Sequence, residues 1–190
     1  MRILGRGDSG YTDLLGAERV PKYDERVEAC GTLDEATSAL GMARAAAQTQ
    51  RVRELLQEVQ MDFYVIMAEL ATPARLRDRL GERIATADVD RVEAATREVQ
   101  AQLMLPACFI LPGACQASAA LDFGRAVVRR AERQVAKLVH GAAADNREML
   151  RYLNRASSLL YMLARYEEAS QGIPYSLAER RRREKDEARE

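Results

Sequence analysis

Residues 109–133 read FILPGACQASAALDFGRAVVRRAER, a proline-containing connector followed by a strongly amphipathic helical pattern. At about 100° per residue, one stripe of this helix is apolar and is predicted to be buried; it comprises Val127, Val128, Ala131, Val135 and Leu138. The neighbouring stripe carries Arg125, Arg129 and Glu132. Guanidinium groups at the edge of a core are suited to bind phosphate or carboxylate, although such a stripe on an isolated helix is more often a solvated basic face.

The composition indicates a helical protein with a single domain. The 190 residues, 47% of them hydrophobic, can bury one sizeable core, and the balance of 29 basic and 29 acidic residues gives no overall field for nucleic acid. One histidine, His140, argues against a histidine metal site or a Ser-His-Asp triad. Cys30, Cys108 and Cys115 are unclustered, as reduced thiols of a cytoplasmic protein are. Neither a membrane-length apolar run nor a signal-peptide core is present.

The hydrophobic periodicity predicts an all-α fold, a five-helix up-and-down bundle, with helices at 27–48, 51–71, 88–103, 116–139 and 146–169. Residues 1–23 are marked by glycines without a strand period and are predicted to be loop, and residues 75–83 to be loop or a frayed turn. The first helix has two candidate starts, because Thr32 and Glu35 fit a capping box whereas Val27 and Ala29 fit an earlier turn.

Three units follow from this pattern: an N-terminal loop (1–23), a helical bundle domain (24–172) and a charged C-terminal tail (173–190). From residue 178 onward the tail has almost nothing to bury, so we predict a disordered end or a solvated helical extension.

Three further clusters hold residue types suited to a nucleotide site. The loop Gly7-Asp8-Ser9-Gly10-Tyr11-Thr12 could wrap phosphates with its backbone N–H groups and hold magnesium near Asp8, or it could be an ordinary turn. The second cluster contains Lys22 and Asp34. The Asp34 carboxylate either interacts with the positive N-terminal end of its helix or pairs with an arginine on another surface. Asn154 could bind a base or ribose, or face solvent.

Taken together and in this order, the clusters resemble the PduO-type ATP:cob(I)alamin adenosyltransferases over about residues 3–168. The matching pieces are Gly7-Asp8-x-Gly10-x-Thr12, Glu18-Arg19-Val20-x-Lys22-x-Asp24, Arg26-Val27-Glu28-Ala29-x-Gly31-Thr32-x-Asp34-Glu35, Phe109-Ile110-Leu111-Pro112-Gly113, Arg125-Ala126-Val127-x-Arg129-Arg130-Ala131-Glu132-Arg133 and Tyr152-Leu153-Asn154-Arg155-x-Ser157.

The resemblance implies a cytoplasmic homotrimer with active sites between subunits, which transfers the 5′-deoxyadenosyl group of ATP to the cobalt of reduced cobalamin and releases triphosphate. It implies that Phe109 closes the lower face of the corrin ring and that Asp34 and Arg125 pair across the subunit interface. It assigns ATP and Mg²⁺ to the N-terminal loop and to residues of the bundle, with Glu132 at the metal: Arg6, Gly7, Asp8, Gly10, Thr12, Lys22, Arg129, Glu132 and Asn154. A reductase and an adenosylcobalamin-dependent acceptor enzyme are the implied protein partners.

The sequence departs from the family pattern at a few positions. Leu4 and Gly5 stand where a threonine and a basic residue usually precede the glycine loop, Asp122 replaces a histidine, and Thr37 replaces an asparagine. Asp122 adds negative charge near the expected phosphate site, which is unfavourable unless an arginine or magnesium offsets it. Two other functions therefore remain open: a non-catalytic cobalamin- and nucleotide-binding delivery protein of the same fold, and a purely oligomeric scaffold.

Overall fold

The computed structural model describes residue 5, residues 7–16 and residues 18–178. These residues form five α-helices: α1 (Glu25–Ala46), α2 (Gln50–Ala71), α3 (Thr86–Gln100), α4 (Gln116–His140) and α5 (Glu148–Ser170). The predicted all-α bundle is therefore confirmed, with helix ends within about three residues of the periodic pattern. None of these helices is long and apolar enough to cross a membrane.

Helix α4 packs against α1 on one side and α5 on the other, while α2 packs against α1 and α3 against α5. Gly124 allows the close approach of α4 to α1, because a Cβ atom there would lie 3.0 Å from Leu40 Cδ2. At the opposite side of the core, the rings of Phe63 and Tyr152 meet edge to face with centroids 6.5 Å apart. Both rings are fully buried, so this contact ties α2 to α5.

The prediction that residues 1–23 are loop was wrong in one respect, because part of this segment forms a small β-hairpin. Strands β1 (Tyr11–Asp13) and β2 (Arg19–Pro21) pair antiparallel, with Tyr11 opposite Pro21. Three-residue strands are too short to show alternation, and an isolated hairpin is marginal in water. Here Leu15 N donates to Ala71 O at 3.1 Å, which attaches the hairpin to the end of α2.

Local capping sets the start of α1. Asp24 Oδ1 accepts from Arg26 N at 2.9 Å, so the helix begins at Glu25. The alternative capping box at Thr32 was wrong: Thr32 lies inside the helix and its hydroxyl donates to Glu28 O at 2.9 Å. Likewise, the segment predicted as loop or frayed turn at 75–83 contains a 3₁₀ helix at Ala74–Arg79.

Candidate functional site

The exposed edge of α4 has the pattern that its sequence predicts. All five members of the apolar stripe are buried, each at most 5% exposed. Beside them, Arg125 and Glu132 are half-buried and Arg129 is exposed. The helix therefore presents two guanidinium groups and one carboxylate next to the core, where side chains are better restrained than on an open surface.

Glu132 and Asn154 are brought together between α4 and α5. Asn154 Nδ2 donates to Glu132 Oε1 at 3.1 Å, while Arg155 Nη1 donates to Asn154 Oδ1 at 2.9 Å. Arg155 is itself held by α3, because its Nε donates to Glu93 Oε1 at 2.6 Å. This hydrogen bond lowers the pKa of the Glu93 carboxyl below its ordinary value. The Arg155–Glu93 clamp thus fixes the orientation of the Asn154 amide, a role that the sequence signalled only by the adjacency of Arg155 and Asn154.

The glycine loop folds over Lys22. A Cβ atom at Gly7 would lie 3.0 Å from Lys22 Nζ, and Lys22 N donates to Gly10 O at 2.9 Å. Gly10 has φ of 78°, which favours glycine. Asp8 is exposed and Thr12 half-buried on the same loop, so a cation and free polar groups stand together. Arg6 and Leu4 lie outside the described residues.

Asp34 lies on an exposed face of α1 between two cavities. One, of about 590 Å³, is lined by Thr12, Cys30 and Tyr64 among others, and the second, of about 310 Å³, by Met42, Phe123 and Arg130 among others. Burial raises the pKa of the Cys30 thiol to about 11, so Cys30 is not a thiolate nucleophile at neutral pH. Within the described part of one subunit, Asp34 makes no ion pair with Arg125, and no hydrogen bond joins Gly7–Thr12 to the α4 edge.

Phe109 is 88% exposed although it is a large apolar side chain. Its segment is held by backbone pairing with the chain beyond α5: Ala178 N donates to Phe109 O at 2.8 Å, and Leu111 N donates to Ser176 O at 2.7 Å. An isolated antiparallel bridge joins Ile110 to Leu177. The fold therefore fixes the backbone on which this ring stands, and the first residues of the predicted tail take part. Residues 179–190 lie outside the described residues.

The two departures inside the bundle have structural partners. Asp122 is buried and ion-paired with Arg165, 2.6 Å from Oδ2 to Nη2, so its charge is offset within the protein. The hydroxyl of Thr37 is also buried and donates to Leu33 O at 2.9 Å. No pattern in the sequence pointed to Arg165, which lies 43 residues from Asp122 on a different helix.

Comparisons with known proteins agree with this arrangement. Residues 3–167 match the family model described as cobalamin adenosyltransferase. The chain is 38% identical to corrinoid adenosyltransferase PduO of Salmonella typhimurium over 86% of its own length and 48% of that protein, so it spans about half of that relative. It is 36% identical to a corrinoid adenosyltransferase of Citrobacter freundii over 90% of this chain and 98% of the relative. The fold matches a variant PduO-type ATP:corrinoid adenosyltransferase from Lactobacillus reuteri, complexed with cobalamin and ATP, at a TM-score of 0.84 and 30% identity, over 92% and 97% of the two chains.

Proposed function

Since this chain belongs to the cobalamin adenosyltransferase family, we propose that it transfers the 5′-deoxyadenosyl group of ATP to the cobalt of cob(I)alamin, giving adenosylcobalamin and triphosphate. The observation that carries the proposal is the edge of α4 and α5, where the family's Arg125, Arg129 and Glu132 stand together and Glu132 is bonded to a clamped Asn154. A structure with this fold has been solved with both cobalamin and ATP.

We infer that ATP lies between the glycine loop with Lys22 and the α4 edge with Arg129, Glu132 and Asn154. The glycine loop with Gly7, Gly10 and the Thr12 hydroxyl would lie along the phosphates, Asp8 would face the magnesium ion bound to them, and Arg6 adds a cation. We propose that the two halves of the site come from neighbouring subunits; within the described part of one subunit no hydrogen bond joins Gly7–Thr12 to the α4 edge.

The donor set fits magnesium that is held mainly by the triphosphate. The described residues contain no group of three acidic, histidine or cysteine ligands, and Mg²⁺ in nucleotide sites commonly takes one or two carboxylates together with phosphate oxygens and water. Glu132 would hold it, since Asn154 uses only Oε1 of its carboxylate. When bound, magnesium offsets charge on the leaving triphosphate.

The chemistry requires positioning rather than a protein nucleophile. Cob(I)alamin uses its own electron pair to form the Co–C5′ bond, the C5′–O bond of ATP breaks, and triphosphate leaves with the bonding pair. Alignment of the reacting atoms can lower the barrier by ~7–11 kcal/mol. Arg129 and Lys22 stabilise the charge that develops on the triphosphate. This explains how a chain with a single histidine can be an enzyme.

Phe109 is proposed to close the lower face of the corrin ring. An axial base or water raises the energy of the cob(II)alamin orbital that must accept the electron. An apolar wall that excludes both therefore makes reduction to cob(I)alamin easier. The exposed ring on a backbone fixed by Ser176 and Ala178 is suited to that role. The electron must come from a reductase partner, and the product would pass to an adenosylcobalamin-dependent acceptor enzyme.

We further propose a homotrimer with its active sites between subunits. The cavities on both sides of Asp34 are lined by large exposed hydrophobic side chains, namely Met42, Tyr64 and Phe123. Exposed apolar patches of this kind mark interaction surfaces. Asp34 of one subunit would then pair with Arg125 of its neighbour. Three free cysteines are consistent with a reducing compartment such as the cytoplasm.

The test is an anaerobic assay with chemically reduced cob(I)alamin, Mg²⁺ and ATP, following light-sensitive adenosylcobalamin. We expect saturable, ATP-dependent product, and loss of saturation at ordinary ATP concentrations in Asn154→Ala. Ser170→Ala, an exposed change at the far end of α5, is the matched control. Cobalamin binding without product would instead support the delivery protein. Leu4 and Gly5, which depart from the family pattern in the nucleotide loop, are the reason for considering that alternative. Binding of neither ligand would leave the scaffold.

A further inference from the structure

Four charged side chains form a continuous line from the core of the bundle to the proposed active-site edge. Arg165 Nε lies 2.9 Å from Glu168 Oε2, and Arg165 Nη2 lies 2.6 Å from Asp122 Oδ2. The other oxygen of Asp122, Oδ1, lies 3.5 Å from Arg125 Nε. The charges alternate in sign along the line and sum to zero.

The line runs from complete burial to partial exposure. The side chains of Arg165 and Glu168 are fully buried and that of Asp122 is 4% exposed, whereas that of Arg125 is 33% exposed. Buried charges are tolerated when each has an opposite partner. The guanidinium of Arg165 also lies over the ring of Tyr161, 5.3 Å from its centroid. Arg165 Nη2 donates to Asp122 Oδ2 at 2.6 Å and to Glu168 Oε1 at 2.9 Å, whereas Arg165 Nε and Nη1 make no hydrogen bond among the described residues. Arg165 thus holds the Asp122 side chain at the base of the α4 edge.

Arg125 is held from one side only. Its Nε atom is buried and makes no hydrogen bond among the described residues, and the Asp122 carboxylate is the charge that faces it. Asp122 stands one turn before Arg125 on α4, the spacing at which two side chains of a helix meet. The terminal amino groups of Arg125 make no hydrogen bond with the described part of the chain. An ion pair at Nε thus restrains the guanidinium while its two outer nitrogens stay available.

We propose that Asp122, held by Arg165 and Glu168, is a positioning residue that presents Arg125 to the neighbouring subunit and the corrinoid. This inference rests on the proposed function of that site. It also gives the family departure at Asp122 a role: the carboxylate restrains the arginine from inside, and Arg165 offsets the charge that would otherwise disfavour phosphate nearby.

The decisive experiment is a double-mutant cycle of Asp122→Asn and Arg125→Ala, read as the dissociation constant for cob(II)alamin and as kcat and KM for adenosylation. Asp122→Asn keeps the shape of the side chain and removes its charge. We expect it to weaken corrinoid binding about tenfold, a factor that corresponds to about 1.4 kcal/mol at room temperature. KM for ATP should change much less. In the Arg125→Ala background the same substitution should have almost no further effect on corrinoid binding.

The matched control is Glu167→Gln on α5, the helix that carries Arg165. Glu167 is fully buried and accepts from Gln48 N at 3.1 Å and Thr49 N at 3.0 Å, so it anchors the connection between α1 and α2 and does not touch Arg125. We expect both Asp122→Asn and Glu167→Gln to lower the melting temperature, but only Asp122→Asn to change corrinoid affinity. Equal corrinoid affinity in Asp122→Asn and wild type, or effects of Asp122→Asn and Arg125→Ala that simply add, would overturn the proposal. A wild type that binds cob(II)alamin without adenosylating it would contradict the proposed function, and coupling measured by binding would still support this inference.

Discussion

At the scale of single residues, Phe109 shows how exposure and function can coincide. A phenylalanine that is 88% exposed contributes little to the core, so its ring is available to contact a ligand outside the bundle. The proposed partner is the corrin ring, whose apolar lower face such a ring can cover.

Phe109→Ala is therefore expected to leave the melting temperature nearly unchanged while slowing adenosylation that starts from cob(II)alamin by ~10–100-fold, the range typical of changes around a metal centre. The reason is that water or the lower base could then reach cobalt. Supplying cob(I)alamin directly should restore much of the rate. Met104→Ala, in the same connector and 94% exposed, is the control. An unchanged rate from cob(II)alamin would remove Phe109 from this role.

At the scale of elements, α3 acts on the site through α5. Glu93 of α3 holds Arg155, which orients Asn154, so a helix that bears no proposed ligand still controls one. Arg97 pairs with the second oxygen of Glu93 at 2.7 Å. Both arginines favour the ionised carboxylate, and the Arg155 hydrogen bond is the main reason why the pKa of Glu93 lies below its ordinary 4.5.

The sign of the pH dependence follows from that lowered pKa. The clamp contributes its full stability above about pH 4.5, the ordinary pKa of Glu93 in the unfolded chain. This stability is lost as the pH falls through the lower pKa that Glu93 has in the folded protein. We expect the melting temperature of Glu93→Gln to lie below that of wild type at pH 7 and to converge with it as the pH falls below the lowered pKa of Glu93. Glu93→Gln should also raise KM for ATP, whereas Glu98→Gln, whose partner is Arg51 at 2.6 Å, should not. A difference that persists at low pH would contradict the clamp.

At the scale of the whole molecule, the face around Asp34 is the surface that we propose for the subunit interface. It exposes Tyr64, Met42 and Phe123 beside two open cavities. By contrast, α3 exposes no large hydrophobic side chain. This difference in exposed hydrophobic side chains is expected if subunits assemble through α1, α2 and α4 rather than through α3.

Tyr64→Glu tests that assembly. A carboxylate forced into an apolar interface without a partner costs on the order of 3–5 kcal/mol, so the sedimentation mass should fall from three subunits toward one and activity should fall with it. Ala94→Glu, an exposed change on α3, should leave both unchanged. A trimer that survives Tyr64→Glu would place the interface elsewhere.

Taken by itself, the sequence determined the five helices, the buried stripe of α4 and the family motifs, because helical periodicity and short motifs depend on residues a few positions apart. Only the tertiary structure decided that β1 pairs with β2, that Leu177 pairs with Ile110, and that Arg165 neutralises Asp122. These pairings join segments that are distant in sequence or too short to carry a period. The Leu177–Ile110 and Arg165–Asp122 partners meet only after the bundle has closed, whereas the β1 and β2 strands are close in sequence but too short for a periodic pattern to record.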